Sequence, residues 1–307
     1  MVPARPMTAG DGGYDEFAFA RLDVPAGRLH YVDEGSGPPL LLVHGNPPSS
    51  FLYRHFIRFL RDRYRCVAPD NIGFGRSLQR RRCPLTPREH ARNVRRLVRH
   101  LDLRDVVLMA HDWGGPIGLS VAQCERARLR GMVLMNTWMW PVRPGSRPWL
   151  FSLAAGSVPH ALLTRWPALP VHRGMPLFTG RSARIARRAL RTYAEFFRRG
   201  GDARAMRTLA RHIRRSRGWL DRLWSGRDAL SSIPALLLWG MDDPVFGGRE
   251  LARWAQFLQH FRITRLDGIG HFVPEEAGEM AVTEVGDWLR KLNGSEEGRL
   301  PGKLRDR

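Results

Sequence analysis

Short apolar runs bounded by Gly, Pro and Asp recur through the first half of the chain: Leu29 to Val32, Leu40 to Val43, Cys66 to Ala68, Val106 to Ala110 and Met132 to Met135. Their length and borders predict β-strands. Between them, Phe51 to Arg61 and Thr86 to Leu101 carry apolar residues at helical spacing. Strands alternating with helices predict an α/β fold with a mostly parallel sheet flanked by helices on both faces.

The alternation then stops. From about Trp138 to Arg227 the pattern is one of helices and loops rich in Arg, Trp, Phe and Pro, without a convincing strand. It resumes at Ala235 to Trp239, at Arg262 to Leu266 and in a closing helix near Met280 to Leu292. A helical block inserted between strands is expected to form a cap over their C-terminal edge, where open α/β sheets bind ligands. The expected division is a core from 1–137 and 233–295, a helical cap from 138–232 and a flexible tail from 296–307.

Composition leaves this picture in place. The chain has 307 residues, 43% of them hydrophobic and 26% charged, which is ordinary globular usage. The net charge of +21 raises the question of a nucleic-acid partner. Only Lys291 and Lys303 are lysine, however, and a uniform arginine bias can follow from codon composition. The densest stretch, Arg181 to Arg217, spaces Arg184, Arg187, Arg188 and Arg191 as on a solvated helix face, and no nucleic-acid motif accompanies it. Neither nucleic acid nor a membrane span is expected: the uncharged run Pro148 to Thr164 is too short and contains Pro159. Cys66, Cys83 and Cys124 fit neither a disulfide framework nor a zinc site, and Met1 to Gly13 lacks an apolar block with a cleavage site. The expected compartment is the cytoplasm.

The chemistry begins at Ala110-His111-Asp112-Trp113-Gly114-Gly115, between a predicted strand and a predicted helix. Small residues around the turn are what a nucleophile elbow requires, because backbone packs closely on backbone there. The exposed residue is Asp112 where most such turns have serine. A carboxylate is ionised at neutral pH and can displace a leaving group from saturated carbon, forming an ester. An Asp capping the next helix is the structural alternative.

His271 follows the last predicted strand between glycines, and Asp242 and Asp243 follow the strand ending at Gly240. Nucleophile, acid and histidine then occur in the chain order of an α/β-hydrolase. No Asp or Glu occurs between Glu125 and Glu195, and Asn136 occupies the other place from which such an acid can come. That leaves Asp242 or Asp243, with Asp243 favoured by its distance past the strand-ending glycine. His44-Gly45-Asn46-Pro47 follows a strand as well. A turn of this kind supplies one backbone N–H of an oxyanion hole, and Trp113 supplies the other.

These segments, with Gly27 to Gly35, Ala68-Pro69-Asp70, Gly73-Phe74-Gly75-Arg76-Ser77, Asn136-Thr137-Trp138 and His271 to Glu276, resemble the haloalkane dehalogenases, α/β-hydrolases with a helical cap. The likeness covers about residues 20 to 290, with the cap matched only by position and composition. Asn beside the oxyanion turn together with an Asp after the later strand resembles the third dehalogenase subgroup. The resemblance implies Asp112 as nucleophile, His271 as base, Asp243 as acid, and Asn46 and Trp113 as halide-binding residues. It implies no metal and no organic cofactor. The expected partners are a small apolar substrate, a halide ion and water, and a homo-oligomer is compatible with the sequence. Two positions depart from the family pattern: Pro48 stands where Thr is usual, and Asp242 where Lys is frequent.

Two other activities use the same core residues. β-Lactone decarboxylases of alkene biosynthesis resemble the same subgroup, and the core sequence does not separate them from dehalogenases. Epoxide hydrolases need acidic donors, typically two cap tyrosines, and between Trp138 and Pro234 this chain has Tyr193 alone. Cap aromatics such as Phe151, Trp166, Phe178, Phe196 and Trp219 are candidates either for pocket lining or for packing.

Overall fold

The computed structural model describes residues 16–47, 49–157, 169–198 and 202–294. Pro48, Pro159, Trp166 and the expected tail at 296–307 lie outside the described residues. The nine strands described are β1 (Phe19–Val24), β2 (Gly27–Glu34), β3 (Pro39–Val43), β4 (Arg65–Pro69), β5 (Leu78–Gln79), β6 (Val106–Asp112), β7 (Leu129–Thr137), β8 (Ala235–Gly240) and β9 (Phe261–Leu266). They form one sheet in the order β1-β2-β4-β3-β6-β7-β8-β9, with β5 beside β2. From β4 through β9 every neighbour is parallel, and β1, β2 and β5 pair antiparallel.

All seven predicted strand runs lie inside strands of this sheet. The central ones bury both faces. Leu41, Val43, Val106, Leu108, Leu237 and Trp239 enter one core with helices α2 (Pro87–His100), α3 (Gly114–Cys124) and α9 (Gly248–Phe257). Their neighbours Leu40, Leu42, Val107, Met109, Leu236 and Leu238 enter the other, with α1 (Arg54–Leu60) and α11 (Gly278–Gly294). Burying each such leucine contributes roughly 1.5–3 kcal/mol. The predicted helix at Thr86 is capped as its sequence implies: the Thr86 hydroxyl accepts from Glu89 N, and Pro87 occupies the first turn.

Between β7 and β8 the described residues are helical or irregular, with no strand among them. The helices are α4 (Arg147–Ser157), α5 (Arg187–Arg198), α6 (Asp202–Arg215), α7 (Arg217–Ser225) and α8 (Asp228–Ser231). Short helical turns at Pro170–Gly174 and Met175–Phe178 precede α5. The arginines Arg184, Arg187, Arg188 and Arg191 are exposed, while Ala189, Tyr193 and Phe197 of the same stretch are buried. That is the amphipathic arrangement their spacing predicts.

This helical segment grips the loop after β9. His271 N donates to the Phe178 carbonyl at 2.8 Å, and Ser182 N donates to that of Gly268 at 3.0 Å. Glu276, at the end of α10 (Val273–Glu276), accepts from Gly180 N, Gly270 N and Phe272 N at 2.7–2.8 Å. The two segments lie so close that a Cβ on Gly180 would fall 2.1 Å from the Gly268 carbonyl oxygen, and one on Gly270 2.3 Å from that of Phe178.

Candidate active site

Asp112 is the last residue of β6 and sits at φ +51°, a left-handed conformation that costs a non-glycine residue about 1–3 kcal/mol. The turn is held tightly. A Cβ on Gly114 would lie 1.9 Å from the Val43 carbonyl oxygen, and one on Gly45 would lie 2.2 Å from Asp112 Oδ1. The Thr137 hydroxyl donates to the Asp112 carbonyl at 2.5 Å. The small residues noted in the sequence are therefore demanded by contact, and the capping alternative fails: α3 begins at Gly114 without a side-chain cap.

The carboxylate of Asp112 has two different environments. Oδ1 accepts the backbone N–H of Asn46 at 2.7 Å. Oδ2 lies 3.7 Å from His271 Nε2. The other ring nitrogen, Nδ1, is 2.8 Å from Asp243 Oδ2. Asp112, Asp243 and His271 are all buried. Asp242 is not part of the cluster. Its carboxylate accepts Arg181 N and pairs with the Arg181 guanidinium.

Burial pushes Asp112 up to about 6, against the opposing charge of His271 and the N–H groups of Trp113 and Asn46. Burial would lower His271, but the Asp243 carboxylate, with Asp112 and Glu276 behind it, raises it to about 9. Asp243 is held below its usual range: burial would raise it, but the His271 charge and hydrogen bond, with the Val245 and Phe246 N–H groups, prevail.

Sequence reasoning saw Asn136 only as the residue where an acid was missing. Its Nδ2 donates to Asp243 Oδ2 at 2.9 Å, to the Gly240 carbonyl at 2.9 Å and to that of Phe246 at 3.1 Å, and its Oδ1 accepts Gly240 N at 2.8 Å. Its φ of +35° is one that Asn tolerates better than most residues. Glu276, to which the sequence assigns no role, is the acceptor that organises the His271 loop.

Residues 38–277 match the family model of the alpha/beta hydrolase fold. Haloalkane dehalogenase 2 of Mycobacterium tuberculosis is 38% identical over 269 residues, which covers 86% of this chain and 92% of that one. This chain belongs to the haloalkane dehalogenase family. A cis-3-alkyl-4-alkyloxetan-2-one decarboxylase of Xanthomonas campestris pv. campestris is also similar, at 29% identity across 91% of this chain and 98% of that one. Among solved structures, the loop variant DbeA-M1 of a haloalkane dehalogenase from Bradyrhizobium elkanii superposes with a TM-score of 0.79 at 20% identity, over 91% of this chain and 98% of that one. That likeness is one of fold.

In this member of the dehalogenase family, Asp112 and His271 open onto a cavity of about 500 Å³. Its walls are mostly apolar, formed by Phe151, Met175, Phe178, Ile213, Phe246 and Phe272 among others. Trp113 lines it too, and its indole N–H is buried without a hydrogen-bond partner among the described residues. The Asn46 amide donates from Nδ2 to the Met206 carbonyl of α6 at 3.0 Å, so that helix orients it. Of the candidate aromatics, Phe151 and Phe178 line the cavity, whereas Phe196 is packed in a buried cluster and Trp219 against the core. No tyrosine is among the described lining residues, and the Tyr193 hydroxyl donates to Glu275 at 2.9 Å. Glu275 is in turn bound by both terminal nitrogens of Arg54 at 2.6 Å. Among the described residues no helix is long and apolar enough to cross a membrane.

Proposed function

We propose that this enzyme hydrolyses haloalkanes to an alcohol and a halide ion through an ester on Asp112. The observation that carries this reading is the elbow carboxylate facing an apolar cavity beside an unpartnered indole N–H. Asp112 Oδ2 attacks the halogen-bearing carbon, a C–O bond forms and the carbon–halogen bond breaks. The halide leaves toward the Trp113 Nε1–H and the second Nδ2 proton of Asn46.

The ester carbonyl is then Oδ1, which the Asn46 N–H already holds at 2.7 Å. His271, oriented by Asp243, takes a proton from water, and the water oxygen adds to the ester carbon. The oxyanion forms on Oδ1, against the backbone N–H groups of Asn46 and Trp113. Each such donor is worth roughly 2.7–4 kcal/mol in other enzymes. Collapse releases the alcohol, which leaves with the His271 proton. The triad is thus Asp112, His271 and Asp243, with Asn46 and Trp113 as the halide pair of a third-subgroup dehalogenase. The core is drawn from 1–137 and 233–295 and the cap from 138–232.

β-Lactone decarboxylation is the second reading, favoured by the length of the match to the Xanthomonas protein and by the size of the cavity. Epoxide opening is disfavoured, since the one cap tyrosine is committed to Glu275. Incubation with 1-bromobutane and, separately, with a long-chain β-lactone decides the matter. Bromide released by the wild type and not by Asp112→Ala supports dehalogenation. Alkene and carbon dioxide without bromide would transfer the assignment to the decarboxylase.

A further inference from the structure

The charge of this chain is unevenly placed. Residues 138–234 contain nineteen arginines and four carboxylates, so they hold fifteen of the twenty-one net positive charges. Four of the eight exposed large apolar side chains among the described residues lie in the same segment: Leu150 (52% exposed), Leu153 (42%), Leu169 (42%) and Leu177 (74%). A codon bias toward arginine explains neither feature.

Both features converge on the entrance of the cavity. Leu169, Arg173 and Leu177 line it while remaining exposed to solvent. On α4, Phe151, Ala154 and Ala155 line the cavity, while Leu150 and Leu153 are exposed to solvent. The helix is therefore apolar toward the substrate and apolar toward the outside. Arginines of α6 bracket it. Arg214 lies over the Trp149 ring at 5.5 Å, and Arg211 donates to the Gly156 carbonyl at 2.6 Å. The α6 arginines are close enough together that Arg207 and Arg215 depress Arg211, after its desolvation.

We propose that this face docks the enzyme on an anionic phospholipid bilayer, with Leu150, Leu153, Leu169 and Leu177 entering the headgroup boundary and the surrounding arginines meeting lipid phosphates. A cationic surface studded with apolar side chains is the composition that binds such interfaces. Nucleic acid fits less well. Single strands need exposed aromatic stacking surfaces, and the exposed large apolar side chains here are all leucine. A second copy of the chain would bring two like-charged faces together. An apolar cavity opening at the docked face lets an apolar substrate pass from lipid to Asp112 without crossing water.

The test is co-sedimentation of the full chain with vesicles of phosphatidylcholine alone and of phosphatidylcholine containing about 30% phosphatidylglycerol. Binding to the anionic vesicles should be at least about tenfold tighter and should collapse at about 0.5 M salt. L150D/L153D should lose most of this binding and R173E should weaken it several-fold, both with an unchanged thermal midpoint, because all three side chains are exposed. Equal binding to neutral vesicles, or full binding by both variants, would overturn the proposal. Retention on duplex or single-stranded oligonucleotides as tight as on vesicles, and unaffected by L150D/L153D, would overturn it too. The measurement involves no turnover, so its outcome is independent of which reaction the site performs.

Discussion

Asn136 and Asp243 are joined across neighbouring parallel strands by a 2.9 Å hydrogen bond from the amide of one to the carboxylate of the other. Removing the amide leaves a buried carboxylate short of a donor. Asn136→Ala should therefore cost about 2–3 kcal/mol of stability, measured by urea unfolding. Asn136→Asp should behave differently. Two carboxylates in contact raise the pKa of one above its unfolded value, so the variant should be nearest wild-type stability at low pH. It should lose stability as pH rises through that raised value. A pH-independent loss would mean that the new side chain avoids Asp243.

Replacing His271 should separate the two half-reactions. If His271 is the base, His271→Gln removes it and leaves Asp112 in place. Mixed with bromobutane, the variant should release about one bromide per chain and gain the mass of a butyl group on Asp112 in an intact-protein spectrum. An unchanged mass would count against the covalent route.

The pH response follows from the shifts of the two partners. If Asp112 is the nucleophile it must be ionised to attack, so the bromide burst should fall about tenfold per unit as pH drops below about 6. His271 must be neutral to accept a proton from water, yet at about 9 it is held as a cation in the free enzyme by two carboxylates. Ester formation abolishes the Asp112 charge, which lowers His271 and frees it to act. Asp112→Asn should reproduce that change: the His271 NMR titration midpoint should drop below about 9. A midpoint unmoved by Asp112→Asn would show that the two groups are not coupled.

Trp113→Phe keeps the ring and deletes the unpartnered N–H. If that N–H receives the leaving ion, the rate of bromide release in single turnovers should fall by about 10²–10³. Inhibition by added bromide should weaken in parallel. A loss of inhibition with normal bromide release would place Trp113 in ion binding after the chemistry.

Tyr193→Phe addresses the epoxide reading. The hydroxyl is committed to Glu275, which also takes the Arg54 fork, so its removal should cost about 1–3 kcal/mol in thermal or urea unfolding. Bromide release per folded chain should be unchanged.

The elements legible in sequence are those whose burial is continuous. Runs such as Leu40 to Val43 and Val106 to Ala110 are buried on both faces and carry no competing signal. β1 was missed because Phe19–Val24 is an edge strand, mostly exposed or half-buried, with arginine and aspartate among its apolar residues. β5 was missed because two residues carry no period. The candidate site was legible for a related reason. Asp112 ends a strand, and Asp243 and His271 follow the C-terminal ends of two others, so strand prediction alone brings them to one edge. Asn136 acts through bonds to groups far away in sequence and Glu276 through the backbone N–H groups of Gly180, Gly270 and Phe272, and neither residue type announces such a role. Asp243 is favoured over Asp242 by its place past Gly240, and the turn aims the two neighbours apart, Asp243 toward His271 and Asp242 toward Arg181.

The interlock between Phe178 to Ser182 and Gly268 to His271 also bears on how such enzymes can be recombined. Exchanging the helical segment between β7 and β8 with that of a relative transplants one half of a backbone pairing whose other half carries His271. Gly180 packs against Gly268, Gly270 against Phe178 and Gly180, and Gly268 against the Ser182 side chain, all with no room for a methyl group, so the two stretches must travel as a set. A chimera with a bulkier residue at position 180 would keep its pocket and push the histidine out of line.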